Sequence, residues 1–122
     1  MKQRVDAEAL LARIVEEIQE KKGKRVVSLD LRKLDNAICS YYVICNADSG
    51  TQVEAIANSV DEMVREKCGE KPWRTDGFEN AIWIVIDYFD IMVHVFRTDA
   101  RDFYRLEEMW ADAKAVVFQD EN

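Results

Sequence analysis

Trp83-Ile84-Val85-Ile86-Asp87-Tyr88-Phe89-Asp90-Ile91-Met92-Val93-His94-Val95-Phe96 holds two apolar runs joined by a short acidic and aromatic turn. Runs rich in β-branched and aromatic residues read as strands, and the short joint reads as a hairpin. The spacing predicts strands from Ala81 to Asp87 and from Asp90 to Phe96. If Ile86 pairs with Ile91, Trp83 lies opposite His94 and Val85 opposite Met92. Side chains alternate between the two faces of a strand. Trp83, Val85, Met92 and His94 then share one face. Ile82, Ile84, Ile86, Ile91, Val93 and Val95 share the other, which is purely aliphatic and is core. The Trp83 face carries an indole N–H and an imidazole, which need partners if buried. Two readings stand at this point. It is a second core face with a satisfied histidine, or a binding face, since Trp and Tyr are over-represented among interface anchors.

Outward from the hairpin, the chain alternates helical and extended patterns. Asp6 can cap a first helix to about Lys22, with Leu11, Ile14, Val15 and Ile18 as its apolar stripe and Gly23 as its stop. Arg25 to Leu31 reads as a strand, and Arg32 to Ser40 as a polar connection. Tyr41-Tyr42-Val43-Ile44-Cys45 is a strand apolar on both faces, as expected of one covered by helices. Ser49-Gly50-Thr51-Gln52 fits a capping box. Val53, Ile56, Ala57, Val60 and Val64 follow at helical spacing, and Gly69 and Pro72 end that helix. Trp73-Arg74-Thr75 suits a short edge strand before an Asp76-Gly77 turn. Thr98 or Asp99 can cap a last helix carrying Phe103, Leu106 and Trp110. The order predicts an α/β fold: a mixed sheet of four or five strands with helices packed on it. Residues 1–112 read as one domain. Residues 113–122 read as a C-terminal tail, although Ala115-Val116-Val117-Phe118 is apolar enough to dock.

Composition agrees. The chain has 122 residues, one domain's worth, and 48% of them are apolar, enough for an ordinary core. No stretch is long and apolar enough to span a membrane, and no apolar signal core follows Met1-Lys2-Gln3-Arg4, so a cytoplasmic location is expected. Cys39, Cys45 and Cys68 have no Cys-x-x-Cys spacing and read as buried reduced thiols. Net charge is −7, and all of it lies late in the chain: residues 76–122 hold 11 acidic and 4 basic side chains, whereas residues 1–75 balance. An acidic surface repels phosphate backbones, so direct nucleic-acid recognition is not expected. It suits a basic partner, or it serves solubility alone.

Catalysis finds little support. Asp87 and Asp90 are turn acids, for which loop solvation is the simpler reading than metal binding. Gly50 alone makes no phosphate loop. His94 lies far in sequence from the cysteines, so no zinc ligand set is evident. No metal and no cofactor are expected.

Trp83-Ile84-Val85-Ile86-Asp87, Asp90-Ile91-Met92-Val93-His94-Val95-Phe96 and Arg101-Asp102-Phe103-Tyr104-Arg105-Leu106-Glu107-Glu108-Met109-Trp110 together resemble the ribosomal silencing factor, or Iojap, family. Its pattern reads W-x-x-x-D-x-x-D-x-x-V-H-V-F, then R-x-F-Y-x-L-E-x-x-W. Weaker similarity extends over residues 5–112. Three places depart from it. Cys39-Ser40 stand where relatives carry Thr-Asp, Phe89 stands where they carry Gly, and Asn46-Ala47-Asp48-Ser49 replaces a small Gly-Thr-Ser element.

The resemblance implies a nucleotidyltransferase-like α/β fold without enzymatic activity. It implies binding to ribosomal protein L-fourteen on the joining face of the large ribosomal subunit. Occupying that face sterically blocks the small subunit and represses translation when nutrients are scarce. It also implies self-association as a homodimer, and organelle relatives that serve in ribosome assembly. On this reading Trp83 and His94 form a partner-binding platform, Tyr88 and Phe89 extend it, and Asp87 and Asp90 pair with basic side chains. Tyr104 and Trp110 instead hold the last helix to the sheet. A nucleotide-handling enzyme on the same fold and a pure dimerisation module are the rival readings.

Overall fold

A computed structural model describes residues 6–120. The basic start Met1-Lys2-Gln3-Arg4 and residues 121–122 of the expected tail lie outside the described residues. Ala7–Glu20 form helix α1, Lys24–Asp30 strand β1 and Tyr41–Ala47 strand β2. Gly50–Met63 form α2, which continues through one π-helical turn at Val64–Cys68. Strands β3 (Arg74–Asp76), β4 (Trp83–Asp87) and β5 (Ile91–Arg97) follow. After them come helices α3 (Thr98–Tyr104) and α4 (Leu106–Met109) and strand β6 (Lys114–Val117). Among the described residues, no helix is long and apolar enough to cross a membrane.

The strands make one sheet of order β3-β4-β5-β2-β1-β6. Only β2 and β5 run parallel; every other pairing is antiparallel. The mixed sheet was expected, but it has six strands rather than four or five. The sixth is the segment read as a tail. Val117, Val116, Ala115 and Lys114 pair with Val27, Ser28, Leu29 and Asp30. This covers the edge of β1, whose backbone groups otherwise lack sheet partners. All four β6 residues are exposed, so no burial pattern marks the strand in the sequence.

All seven residues of β2 are buried, as its apolar faces predict. Tyr41, Val43 and Cys45 face a core shared with α1 and α2. Tyr42 and Ile44 face a second core closed by α3, α4 and the β1–β2 connection. The α1 stripe is Leu10, Ile14, Val15 and Ile18; Leu11 is only partly buried. Asp6 caps α1 by accepting from Glu8 N–H, and Ser49 caps α2 by accepting from Gln52 N–H, both as expected. At the end of α1 the left-handed residue is Lys22 (φ 65°), not Gly23. Gly23 is needed for another reason: a Cβ there would lie 2.4 Å from Ile18 Cγ2. Cys45 and Cys68 are buried, whereas Cys39 is only half-buried; burial pushes Cys39 up to about 11 and Cys45 up to about 12.

The last helix differs most from expectation. Neither Thr98 nor Asp99 caps it. Arg97 occupies the cap position, and Thr98 is drawn away, its hydroxyl donating to Asp48 and accepting from Asn46. The helix then breaks at Arg105, which is left-handed at φ 50°. The buried Arg101 guanidinium holds the break together. It donates to the Arg25 carbonyl at 2.6 Å, to Asn46 Oδ1 at 2.8 Å, and to both carboxylate oxygens of Glu107 at 3.3 and 3.1 Å. One side chain thus ties α3 to α4, to the bulged start of β1 and to the end of β2. Removing it leaves the buried Asn46 amide oxygen and the Arg25 carbonyl without this donor, whereas the Glu107 carboxylate, 34% exposed, can turn to solvent. Arg101→Leu is expected to cost about 2 kcal/mol of unfolding free energy, because buried acceptors lose their donor. Denaturant titration measures that loss, and a change below about 0.5 kcal/mol, the range of ordinary surface substitutions, contradicts the clamp.

Candidate functional site

The hairpin register differs from the expected one. Ile86 pairs with Val93, Val85 with His94 and Trp83 with Phe96. The turn sets this register. Asp87 Oδ1 accepts from Phe89 N–H at 2.9 Å, Tyr88 N–H donates to the Ile91 carbonyl at 2.9 Å, and Phe89 is left-handed at φ 72°. An aspartate closing its own turn in this way is a local device that strand periodicity does not show. The shift is two residues, so the facing of every strand side chain survives. Ile84, Ile86, Ile91, Val93 and Val95 enter the α1–α2 core as expected. Ile82 lies just before β4 and packs on the opposite core instead, because the chain turns at Ala81 (φ 53°).

The Trp83 face is core at its centre and surface at its margin. His94 is buried beneath Tyr42, with ring centroids 4.5 Å apart. Trp83 Nε1–H donates to His94 Nδ1 at 3.1 Å. Accepting through Nδ1 places the neutral ring's proton on Nε2. That N–H is buried without a partner among the described residues. Trp83 is half-buried and stacks on Phe96 at 4.8 Å, tilted 26°. Tyr104 of α3 covers it at 5.0 Å, and Phe103 meets Tyr104 edge-on at 5.1 Å. Exposure rises along this row, from 0% at Phe96 to 50% at Tyr104 and 78% at Phe103. Trp110 packs edge-on against Tyr42 at 5.8 Å. Tyr104 and Trp110 therefore join α3 and the end of α4 to the sheet, as expected.

The six sequence-selected residues do not form one patch. Trp83 and His94 come together. Asp87, Phe89 and Asp90 sit at the far end of β4, about 13 Å along the strand. There the Asp87 carboxylate serves the turn and faces Arg74 Nε at 3.7 Å. Phe89 is exposed and touches the exposed Trp73, centroids 5.2 Å apart. Asp90 and Phe89 border an open hollow of about 560 Å³ with Arg32, Leu34 and Ile38. Tyr88 lies on the opposite side of the sheet, buried in the α1–α2 core, with its hydroxyl 3.4 Å from Asp61 of α2. Burial, with Asp61 close by, pushes its phenol well above the usual range. Sequence reasoning placed Phe103 on the last helix and within the family motif, without a binding role. Its place in the row depends on the break at Arg105, for which the local sequence carries no glycine.

Charge is also more balanced here than the count suggests. Asp99 faces Arg97, Asp102 faces Arg25, Glu107 faces Arg101 and Glu108 faces Arg105, at 2.6 to 3.9 Å. Among the described residues no three His, Cys, Asp or Glu side chains converge as a metal site would require. The row offers a graded aromatic surface rather than a reaction centre.

Burial alone pushes His94 down to about 3 from an ordinary 6.5. Protonation therefore favours the unfolded chain, and this contribution to stability is complete above pH 6.5 and is lost as the pH falls toward 3. His94 is the only histidine, so the interval from pH 6.5 to about 5.5, a full unit above ordinary carboxylates, reports chiefly on it. Unfolding free energy should fall with acid across that interval in the natural chain and stay level in His94→Leu. A level profile in both would show that His94 is not held neutral by burial.

Comparison with known proteins supplies what geometry cannot. The family model described as "Ribosomal silencing factor during starvation" matches residues 4–122. The ribosomal silencing factor RsfS of Halalkalibacterium halodurans is 37% identical over 110 residues, covering 90% of this chain and 92% of the relative. RsfS of Bacillus subtilis is 34% identical over 94 residues, 77% of this chain and 78% of the relative. A crystal structure of a Chromobacterium violaceum protein superposes with a TM-score of 0.83 at 30% identity, covering 88% of each chain. On these matches, of which the family model's runs through the hairpin, the broken last helix and β6 alike, the chain belongs to the family of ribosomal silencing factors during starvation.

Proposed function

We propose that this chain binds the large ribosomal subunit through ribosomal protein L-fourteen and, by occupying the joining face, keeps the small subunit from docking. Translation would then fall when nutrients are limiting. Family membership supports the ribosomal setting. The observation that carries the surface assignment is the graded row Phe96–Trp83–Tyr104–Phe103, anchored in the core at one end and open to a partner at the other. Large aromatics fixed at one side and bare at the other bind at low entropic cost. Phe89 and Asp90 at the hairpin tip form a second, outlying contact. Asp87, His94 and Tyr88 act from within the chain, by shaping the turn, the row and the α1–α2 core.

The action is steric, without catalysis, in the cytoplasm, on what we take to be a nucleotidyltransferase-like variant of the α/β fold. Self-association through the same row would compete with the ribosome, so a homodimer would be the idle form.

Sedimentation of the purified chain with separated subunits tests this reading. It should travel with large subunits and not with small ones, and adding it should reduce joined ribosomes. Trp83→Ala should weaken large-subunit binding by about 2 kcal/mol, roughly thirtyfold. Phe103→Ala should weaken it less, because an exposed rim residue loses less on truncation. A chain that never sediments with large subunits disproves the proposed function. Unchanged binding by Trp83→Ala removes the row from it.

A further inference from the structure

We infer that His94 is the positioning residue of this surface: its buried Nδ1 holds the Trp83 indole at one angle, and no atom of His94 touches the partner. The inference rests on the aromatic row being the ribosome-binding surface.

His94 is 3% exposed, so a partner cannot reach it in this fold. Its ring is enclosed by Tyr42 at 4.5 Å, Trp83 at 6.0 Å and Phe96 at 6.3 Å between centroids. A leucine would fill that space without a polar atom to satisfy. Histidine brings two nitrogens, and one of them, Nε2, is buried with no partner among the described residues. An unpaired buried donor is a cost that an apolar residue avoids. The structural return for that cost is the single bond at Nδ1, which accepts the Trp83 indole N–H at 3.1 Å.

The geometry of that bond suits a positioning role. Trp83 lies opposite Phe96 and His94 opposite Val85, so the bond runs diagonally across the hairpin. It fixes the indole about its outer torsion, while stacking on Phe96 alone would permit the ring to turn over. Tyr104, and Phe103 beyond it, lean on the face so presented. Holding the ring before the partner arrives removes an ordering cost from binding. A side chain that never meets the partner thereby acts on its affinity.

The full chain carrying His94→Leu, His94→Asn, Trp83→Phe, Trp83→Ala and His94→Leu with Trp83→Phe tests this. Asparagine offers Oδ1 near the place of Nδ1, and phenylalanine keeps a ring without the N–H donor. Two readouts are taken: hydrogen exchange of the Trp83 indole, identified by its loss in Trp83→Phe, and co-sedimentation with large subunits. His94→Leu should speed indole exchange about tenfold or more and weaken binding about three- to tenfold. His94→Asn should restore both. In the Trp83→Phe background, His94→Leu should change binding no further.

If His94→Leu frees the indole yet binds normally, the inference is overturned. It is equally overturned if the loss persists undiminished in the Trp83→Phe background, since His94 would then act by contact or by general packing. Should His94→Leu not fold, His94→Asn decides: a protected indole with weakened binding rejects the role, and a protected indole with full binding supports it. Trp83→Ala separates the two levels. Full binding by that variant rejects the row itself, and this role of His94 with it. Weak binding by Trp83→Ala with normal binding by His94→Leu rejects only the role of His94.

Discussion

Strand β2 is buried along its whole length, and the rest of the molecule is arranged around that constraint. A buried strand cannot leave its N–H and C=O groups to water, so both of its edges must be paired. Strand β1 takes one edge in antiparallel and β5 the other in parallel. The parallel pair needs a long crossover, and α2 with β3 and β4 provides it. Both faces of β2 must also be covered, which calls for α1 and α2 on one side and α3 and α4 on the other.

The aromatic row inherits its position from this arrangement. Strand β5 lies between β2 and β4, so Phe96 and His94 are fixed from both sides and carry Trp83 with them. The second core is smaller than the first and closes with a short, broken helix. Its aromatic filling therefore emerges at the margin instead of ending inside. The same side chains stabilise the fold at one end of the row and meet solvent at the other.

The Arg101 clamp decides how that margin is shaped. Without a glycine at Arg105, the left-handed break is a conformation that costs roughly 1 to 2 kcal/mol in an ordinary residue. Four hydrogen bonds from one buried guanidinium offset that cost and tie α4 to α3 across the break. Phe103 then points to solvent while Leu106 and Trp110 turn back to the sheet.

By itself the sequence determined the α/β class, the mixed sheet, both helix caps near Asp6 and Ser49, and the facing of Trp83, Ile84, Val85 and Ile86. These depend on neighbours within a few residues, or on a period of two that survives a shift of register. The motif from Trp83 to Trp110 also pointed to the family. Only the tertiary structure decided the rest. The Asp87 turn moved Trp83 opposite Phe96. The unsatisfied edge of β1 recruited the exposed β6. The remote carbonyl of Arg25 and the side chain of Asn46 positioned Arg101, and the opposite core took Tyr88. The turn is set by a side-chain-to-backbone hydrogen bond and the other three by groups far apart in the chain, and neither is written in local periodicity.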